Sequence, residues 1–299
     1  MRIVTRPDFD GIVCAVLISE TENIDKDIYW VEPGEIQNQS AEIMAGDILA
    51  NLPFDTRCSL WFDHHISNKH KLPFQGAFEI APSAARVVFK YYSENKKNVN
   101  NYKFLVDAAD KIDAADLSRD EVCHPERHPF VLLSMTIFNR NKSDEAYWNQ
   151  LIYLLRKHPL EEVLTHPDVH SKTNQVIEQN LQYRDILQKF TVTKGPVSIT
   201  DLRSFDTPPV GNRFLVYSMF PNTYTSVKIR YADDDPNKII LSVGHNIFNK
   251  NSKVNVGKLL SNYNGGGHFG AGACSFHTDL SDKYIPEIIN ILLENRPDI

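Results

Sequence analysis

Short apolar runs alternate with helix-like segments along the N-terminal part of the chain. Each run is bounded by polar or turn residues and predicts a buried strand, whereas apolar positions three and four residues apart predict a helix. Strands are predicted at residues 2–5, 27–31, 48–52, 58–62 and 77–80, and helices at 11–21 and 83–94. This alternation predicts an α/β fold whose N-terminal part is a mostly parallel sheet wound by helices.

The pattern changes in the second half of the chain, after a mainly helical stretch at residues 101–166. The segment 168–188 is polar, has no Gly or Pro, and predicts one long helix of a kind that more often bridges two bodies than packs inside one. A smaller α+β domain is predicted after it, with strands at 190–193, 197–201, 224–231, 238–243 and 273–277 and helices at 255–263 and 282–294. We therefore expect a first domain at 1–175, a linker helix at 176–189 and a second domain at 190–299.

Composition narrows the class of protein. The chain has 299 residues, of which 42% are hydrophobic and 23% charged, as in soluble globular proteins. It has no signal-peptide core and no apolar run of the roughly 18 residues that a membrane span needs. Four dispersed cysteines without a CxxC pair predict reduced thiols in a cytoplasm. The net charge of −6 argues against a protein that coats long nucleic acid, but not against a short phosphorylated substrate held by metal ions.

Two acidic motifs follow predicted strands. Asp63-His64-His65 comes directly after an apolar run, at the carboxyl end of a strand, where open α/β sheets bind ligands. Asp8 and Asp10 follow the first strand, and in a tight strand-to-helix turn two carboxylates can flank Mg²⁺ or Mn²⁺. The alternative for this pair is that Asp10 caps the following helix and Asp8 is solvated.

A glycine-rich motif stands near the C-terminus, where Gly265-Gly266-Gly267-His268 opens a stretch with five glycines in eight residues. Glycine costs backbone entropy, so such a run is expected where the backbone approaches a ligand closely and presents its N–H groups to an anion. His268 would contact phosphate or a terminal base. The alternative, a flexible loop, is disfavoured because a predicted helix and a predicted strand flank the run.

Together the three motifs resemble the DHH phosphoesterase superfamily, whose second domain carries a GGGH motif (DHHA1-type), and within it proteins labelled exopolyphosphatase-related. The resemblance runs in order through TRPDFDG, WFDHH, VDAADKIDAADL and NGGGHFGAG. It implies two domains with the catalytic cleft between them, one or two Mn²⁺ or Mg²⁺ ions per chain, and hydrolysis of phosphoester or phosphoanhydride bonds. The expected substrate is a short oligonucleotide, a dinucleotide or a phosphoanhydride such as polyphosphate. Whether the chain forms a homodimer is left open.

The resemblance also implies roles for individual residues. Asp63 would orient His64, and His65 would face the substrate phosphate as a donor or proton shuttle. Arg6 would face phosphate, and His245 would replace an arginine of relatives or be an ordinary turn residue; the glycine motif would add Gly265, Gly266, Gly267 and His268. The implied metal ligands are Asp8, Asp10, Asp47 or Asn51, His64 and Asp110.

Two of these ligand positions have rivals. Asp47 and Asn51 lie about 13 Å apart in extended chain, so only one can reach the site; geometry favours Asn51 and ligand chemistry favours Asp47. Asp110 best fits the fourth-motif aspartate, with Asp107 and Asp113 as rivals in the same acidic stretch.

One departure supports a rival function. Many relatives have a histidine where this chain has Val4, and Asn51 is neutral where an aspartate usually bridges two ions. Both changes fit a catalytically reduced DHH-fold protein that binds a nucleotide or phosphate without turnover. Metal content would separate this binding module from a hydrolase.

Overall fold

The computed structural model describes residues 1–95, 98–137 and 142–297 and divides into two compact units. The first unit comprises Met1–Leu117 and Pro125–Gln175, and the second comprises Ser118–His124 and Val176–Ile299. Part of the predicted helical stretch, residues 138–141, lies outside the described residues.

The strands and helices follow the predicted order. In the described part of the chain the strands are β1 (Arg2–Thr5), β2 (Tyr29–Trp30), β3 (Asp47–Ala50), β4 (Leu60–Asp63), β5 (Gly76–Phe78), β6 (Thr191–Lys194), β7 (Val197–Asp201), β8 (Thr225–Tyr231), β9 (Lys238–His245), β10 (Gly266–Gly267) and β11 (Ala271–His277). The α-helices there are α1 (Phe9–Thr21), α2 (Pro33–Gln37), α3 (Ala84–Glu94), α4 (Lys103–Asp113), α5 (Arg119–Cys123), α6 (Pro129–Met135), α7 (Glu145–Lys157), α8 (Leu160–Thr165), α9 (Pro167–Phe190), α10 (Leu215–Met219), α11 (Val256–Ser261) and α12 (Ser281–Glu294).

The first unit is built on a five-stranded sheet in the order β2-β1-β3-β4-β5. Every pairing in it is parallel, which confirms the predicted parallel sheet. Thr5 is paired with Ala50, and Ala50 with Phe62, so β1, β3 and β4 end side by side. The residues that follow these three strands therefore emerge at one edge of the sheet.

Alternation along the strands divides the first unit between two apolar cores. Ile3 and Ile48 join the core that contains α1, while their chain neighbours Val4 and Leu49 join a smaller core. This division follows from the two-residue period of a strand. Val4 is thus fully buried among apolar side chains and contributes to packing.

Helix α1 is buried on nearly all sides. Its residues from Ile12 to Ile18 are fully shielded from solvent, and α3, α4 and α7 contact it. A helix that is apolar all round is expected in the interior of a unit. Neither α1 nor any other helix of the described ranges is long and apolar enough to cross a membrane.

The second unit contains a six-stranded sheet in the order β10-β11-β9-β8-β7-β6. Only the pairing of β7 with β8 is parallel, so the sheet is mixed. Its core is formed by apolar residues of β7, β8, β9, β11, α11 and α12, including Val227, Leu241 and Ile288. The predicted smaller α+β fold is confirmed.

Gly76, at the start of β5, offers a test of the five-stranded sheet in the first unit. Gly76 has φ +113°, and a Cβ on it would overlap the backbone of Trp61, its partner in β4. We expect Gly76→Ala to lower the free energy of unfolding by about 2 kcal/mol, measured by thermal and denaturant melting. Gly34→Ala is the matched control, because Gly34 lies in α2 with no neighbouring atom near its Cβ position and should gain about 0.5–1 kcal/mol. Equal destabilisation of both variants would contradict the β4–β5 pairing.

Candidate functional site

The turn between β1 and α1 places Asp8 and Asp10 at the sheet edge. Asp8 is the N-cap of α1, where its Oδ1 accepts a hydrogen bond of 2.8 Å from the backbone N–H of Gly11. The alternative from sequence, in which Asp10 is the cap, is therefore wrong. Asp10 is instead the second residue of the helix, and its carboxylate is almost completely buried.

The Asp10 carboxylate is bound by the first turn of α3. Its Oδ2 accepts from the N–H of Ala84 and its Oδ1 from the N–H of Ala85, both at 2.8 Å. Burial raises the pKa of Asp10 well above its usual value, the nearby charges of Asp113 and Asp8 raise it further, and the two N–H bonds only partly oppose them. A buried carboxylate with two acidic neighbours is a site that a cation would stabilise.

His64 places a ring nitrogen near the carboxylate of Asp10. Its Nδ1 lies 2.9 Å from the carbonyl oxygen of Ala81, which can only accept, so Nδ1 donates and the neutral ring keeps its lone pair on Nε2. This Nε2 is buried without a hydrogen-bond partner, 3.4 Å from Asp113 Oδ2 and 3.9 Å from Asp10 Oδ2. Asp10, His64 and Asp113 each offer one ligand atom within 4.8 Å of the others. The donor set thus fits a divalent cation that accepts both carboxylate and imidazole.

The acidic stretch in α4 differs from the sequence expectation. Asp110 accepts from Ser83 Oγ at 2.6 Å and from Arg86 Nε at 2.8 Å, and Asp107 also pairs with Arg86. Asp113, at the end of the helix, faces His64 instead, with 32% of its side chain exposed. The structure therefore brings Asp113 to the group and not Asp110, whose oxygens are already occupied by a hydroxyl and a guanidinium.

The direction of β3 determines which of Asp47 and Asn51 lies at the sheet edge that carries Asp8 and Asp10. Asp47 begins the strand, and its carboxylate is bound by Arg2 Nε at 2.9 Å and Nη2 at 2.7 Å. Asn51 follows the strand at φ +58°, and its Nδ2 donates to Asp8 Oδ1 at 3.0 Å. Its Oδ1 is buried without a hydrogen-bond partner. Asn51 is thus at the sheet edge, and Asp47 lies at the opposite end of β3.

Asp63 contacts His65 and not His64, which corrects the expected role of Asp63. Its Oδ1 accepts from His65 Nδ1 at 2.8 Å and its Oδ2 from Asn68 Nδ2 at 2.7 Å. Asp63, His64 and His65 could also surround an ion, but both oxygens of Asp63 are engaged in these bonds. Burial lowers the pKa of His65, yet the hydrogen bond and charge of Asp63 outweigh burial and leave that pKa raised. Asn68 was missed from sequence, and its position five residues after Asp63 gives no motif signal.

Arg6 lies beside Asp8. Its Nη1 is 3.4 Å from Asp8 Oδ2, and its Nε is 3.4 Å from Glu32 Oε2. Burial raises the pKa of Glu32, although the charge of Arg6 acts in the opposite direction. A guanidinium therefore already partly neutralises Asp8, the first of the two aspartates in this motif.

The glycine motif forms a paired hairpin. Gly266 and Gly267 pair with β11, the N–H of Gly265 donates to Leu260, and the N–H of His268 donates to Ala271. A Cβ on Gly265 would overlap β11, and Gly267 has φ +149°. Close backbone packing thus explains these glycines, and two of the N–H groups expected to face an anion are used within the protein.

Two aromatic side chains, those of His245 and Phe269, lie against each other beside this hairpin. His245 ends β9, and its Nε2 donates to the carbonyl of Val254 at 3.0 Å; burial lowers the pKa of His245. Phe269 meets His245 edge-on, with ring centroids 5.4 Å apart, yet 56% of Phe269 is exposed. The carbonyl of Phe269 accepts from Val256, so this exposed ring sits on a fixed backbone. Sequence reasoning missed Phe269, whose signal was an aromatic residue inside a glycine-rich turn.

The whole chain is similar to several solved structures. The pGpG-specific phosphodiesterase PggH from Vibrio cholerae shares 30% identity, with 99% of each chain covered and a TM-score of 0.83. An exopolyphosphatase-related protein from Bacteroides fragilis shares 13% identity over 98% of this chain and 91% of its own, with a TM-score of 0.55. RecJ from Thermus thermophilus, in complex with Mn²⁺, shares 12% identity over 98% of this chain and 52% of its own, with a TM-score of 0.60. The last two share the fold. The sequence matches no family model and no curated protein.

The burial of Asp10 predicts a pH dependence of stability in chelator. Because the folded pKa of Asp10 is raised above its unfolded value near 4, its contribution to stability is present below that value and is lost as pH rises through the folded pKa. We expect the melting temperature of the wild type to fall relative to that of Asp10→Asn as pH rises from about 4.5 to 8. Parallel melting profiles of the two proteins across this range would contradict the buried, metal-free carboxylate.

Proposed function

The chain belongs to the DHH phosphoesterase superfamily and is a metal-dependent phosphoester hydrolase that acts on short substrates, and we propose that its substrate is the linear dinucleotide pGpG. PggH, which is specific for pGpG, supports this substrate because the similarity to it extends over the whole chain. The observation that supports metal-dependent hydrolysis is the buried Nε2 of His64, which has no hydrogen-bond partner and faces the carboxylates of Asp10 and Asp113.

We propose that Asp10, His64 and Asp113 hold Mn²⁺ or Mg²⁺. Two carboxylates and an imidazole suit Mn²⁺, whereas Mg²⁺ prefers oxygen ligands alone. A bound cation would polarise a phosphoryl oxygen and activate water. The carbonyl of Ala81 holds the His64 ring by its other nitrogen, and this kind of support is typical of metal-ligating histidines.

A second ion would bind more weakly. Its donors would be Asp8 and the unpartnered Oδ1 of Asn51, but Asn51 is neutral and Arg6 lies 3.4 Å from Asp8. A guanidinium in that place repels a cation and attracts phosphate. We therefore propose one tight metal site, with Arg6 as a phosphate contact.

His65 is the proposed proton donor to the leaving oxygen of the phosphodiester. Asp63 holds its Nδ1, so Nε2 is the atom that exchanges the proton. The raised pKa of His65 keeps a larger share of the ring protonated near neutral pH, as a donor requires. Asp63 orients this ring and is itself held by Asn68.

The hairpin of the second unit, taken by itself, carries groups suited to binding a nucleotide. The exposed ring of Phe269 provides a face on which a base can stack, and His245 supports that ring. Gly265, Gly266 and Gly267 hold the hairpin close to β11, and His268 is the proposed contact to phosphate.

Turnover of defined substrates tests the proposal. With Mn²⁺, purified protein should hydrolyse pGpG to two molecules of GMP and leave inorganic polyphosphate and long single-stranded DNA nearly intact, as followed by ion-pair chromatography. Chelator-treated protein is the control. Release of product from none of the three would contradict catalysis, whereas faster release from polyphosphate or DNA would contradict the proposed substrate.

Substitution of Asp113 tests the metal site. Asp113→Asn should weaken Mn²⁺ binding at least about tenfold in calorimetry, because a ligand carboxylate is lost, and should reduce hydrolysis of pGpG accordingly. Asp116→Asn is the matched control, since Asp116 is an exposed carboxylate three residues away. Wild-type affinity in Asp113→Asn, or equal losses in both variants, would contradict the assignment.

A further inference from the structure

Two residues at the start of α3 and one residue of α4 form a closed ring of hydrogen bonds, which we call the Ser83 ring: Ser83, Arg86 and Asp110. The hydroxyl of Ser83 donates to Asp110 Oδ1 at 2.6 Å and accepts from the backbone N–H of Arg86 at 3.0 Å. Arg86 donates through Nε and Nη2 to Asp110 Oδ2, at 2.8 Å and 2.6 Å. The ring ties the first turn of α3 to α4.

The same turn of α3 binds the buried carboxylate. Ala84 and Ala85, whose N–H groups hold the two oxygens of Asp10, lie between Ser83 and Arg86 in the chain. Ser83 is fully buried, so solvent water does not compete for its hydroxyl. We propose that the Ser83 ring positions the metal ligand Asp10, by fixing the two N–H groups that aim its carboxylate.

The geometry of the carboxylate explains why such positioning matters. An ionised carboxylate has about four lone-pair sites, and α3 takes one on each oxygen of Asp10. Oδ2 keeps one lone pair for a cation, and His64 Nε2 lies 3.9 Å from this oxygen. A displaced or frayed first turn of α3 would release the carboxylate from the orientation that these two N–H groups hold. The short bonds to Asp110 are charge-assisted, which makes the ring a stiff support.

This role replaces the one expected from sequence for Asp110. Asp110 acts through Ser83 and α3 on Asp10 and does not itself touch the ion. The inference rests on the proposed metal binding by Asp10, and it adds two positioning residues, Ser83 and Arg86, that no motif marked.

Calorimetric titration of metal-free protein with Mn²⁺ is the test. Ser83→Ala and Asp110→Asn should each raise the dissociation constant about 10- to 100-fold, the range for loss of a group that supports a ligand. Ser83→Thr, which keeps the hydroxyl, should restore most of the affinity. Hydrolysis of pGpG by Ser83→Ala and Asp110→Asn should fall at limiting Mn²⁺ and recover at saturating Mn²⁺, because the ligand set is intact.

Two matched controls separate positioning from general loss of stability. Ser118 caps α5 in the same way, through a bond of 3.2 Å from the N–H of Glu121. Asp201 pairs with Arg203 as Asp110 pairs with Arg86, at 2.9 Å and 2.6 Å. Ser118→Ala and Asp201→Asn should keep the wild-type affinity for Mn²⁺ within about twofold, even where their melting temperatures fall, because their partners hold no proposed ligand.

Other outcomes would contradict the proposed role of the Ser83 ring. Wild-type affinity in both Ser83→Ala and Asp110→Asn would overturn the Ser83 ring while leaving the proposed function intact. Loss of activity in Asp110→Asn that saturating Mn²⁺ does not restore would make Asp110 a ligand and also overturn it. If Ser83→Ala does not fold, the isosteric Asp110→Asn decides. A wild type that binds no Mn²⁺ would overturn the proposed function, and the ring with it.

Discussion

The burial of one negative charge is the constraint on which the site depends. Asp10 lies inside the protein with further carboxylates near it, an arrangement that is unfavourable without compensation. The fold compensates twice: the positive end of α3 donates two N–H groups, and the open nitrogen of His64 marks a place for a cation. Metal binding and the stability of the first unit are therefore coupled through the same carboxylate.

The parallel sheet converts this constraint into a site. Because β1, β3 and β4 are neighbours and run in one direction, the turns after them bring Asp8, Asn51 and His64 to one edge, although these residues are far apart in sequence. The short apolar runs were sufficient to predict the strands, and their alternation with helices was sufficient to predict the parallel sheet and the edge at which its strands end. Sequence reasoning also placed five strands of the second unit to within a few residues of β6, β7, β8, β9 and β11, but it predicted neither β10 nor the mixed pairing.

Sequence reasoning did not identify the partners of the acidic residues, because these partners come from other segments of the chain. The acidic stretch offered Asp107, Asp110 and Asp113 with similar spacing, whereas Arg86, on another helix, pairs with the first two and Asp113 lies beside His64. The partner of Asp63 was equally hidden, because the turn after β4 selects His65 over His64. Such choices depend on contacts between segments that no local pattern records.

The most direct test of this account is a crystal structure grown with Mn²⁺ and measured at the manganese absorption edge. The account predicts one strong anomalous peak, at roughly 2.2 Å from His64 Nε2 and from one carboxylate oxygen each of Asp10 and Asp113, a distance between those of Mg²⁺ and Ca²⁺ ligands. It would be contradicted by the absence of such a peak, or by an ion bound to Asp110 or Asp47 in place of Asp113.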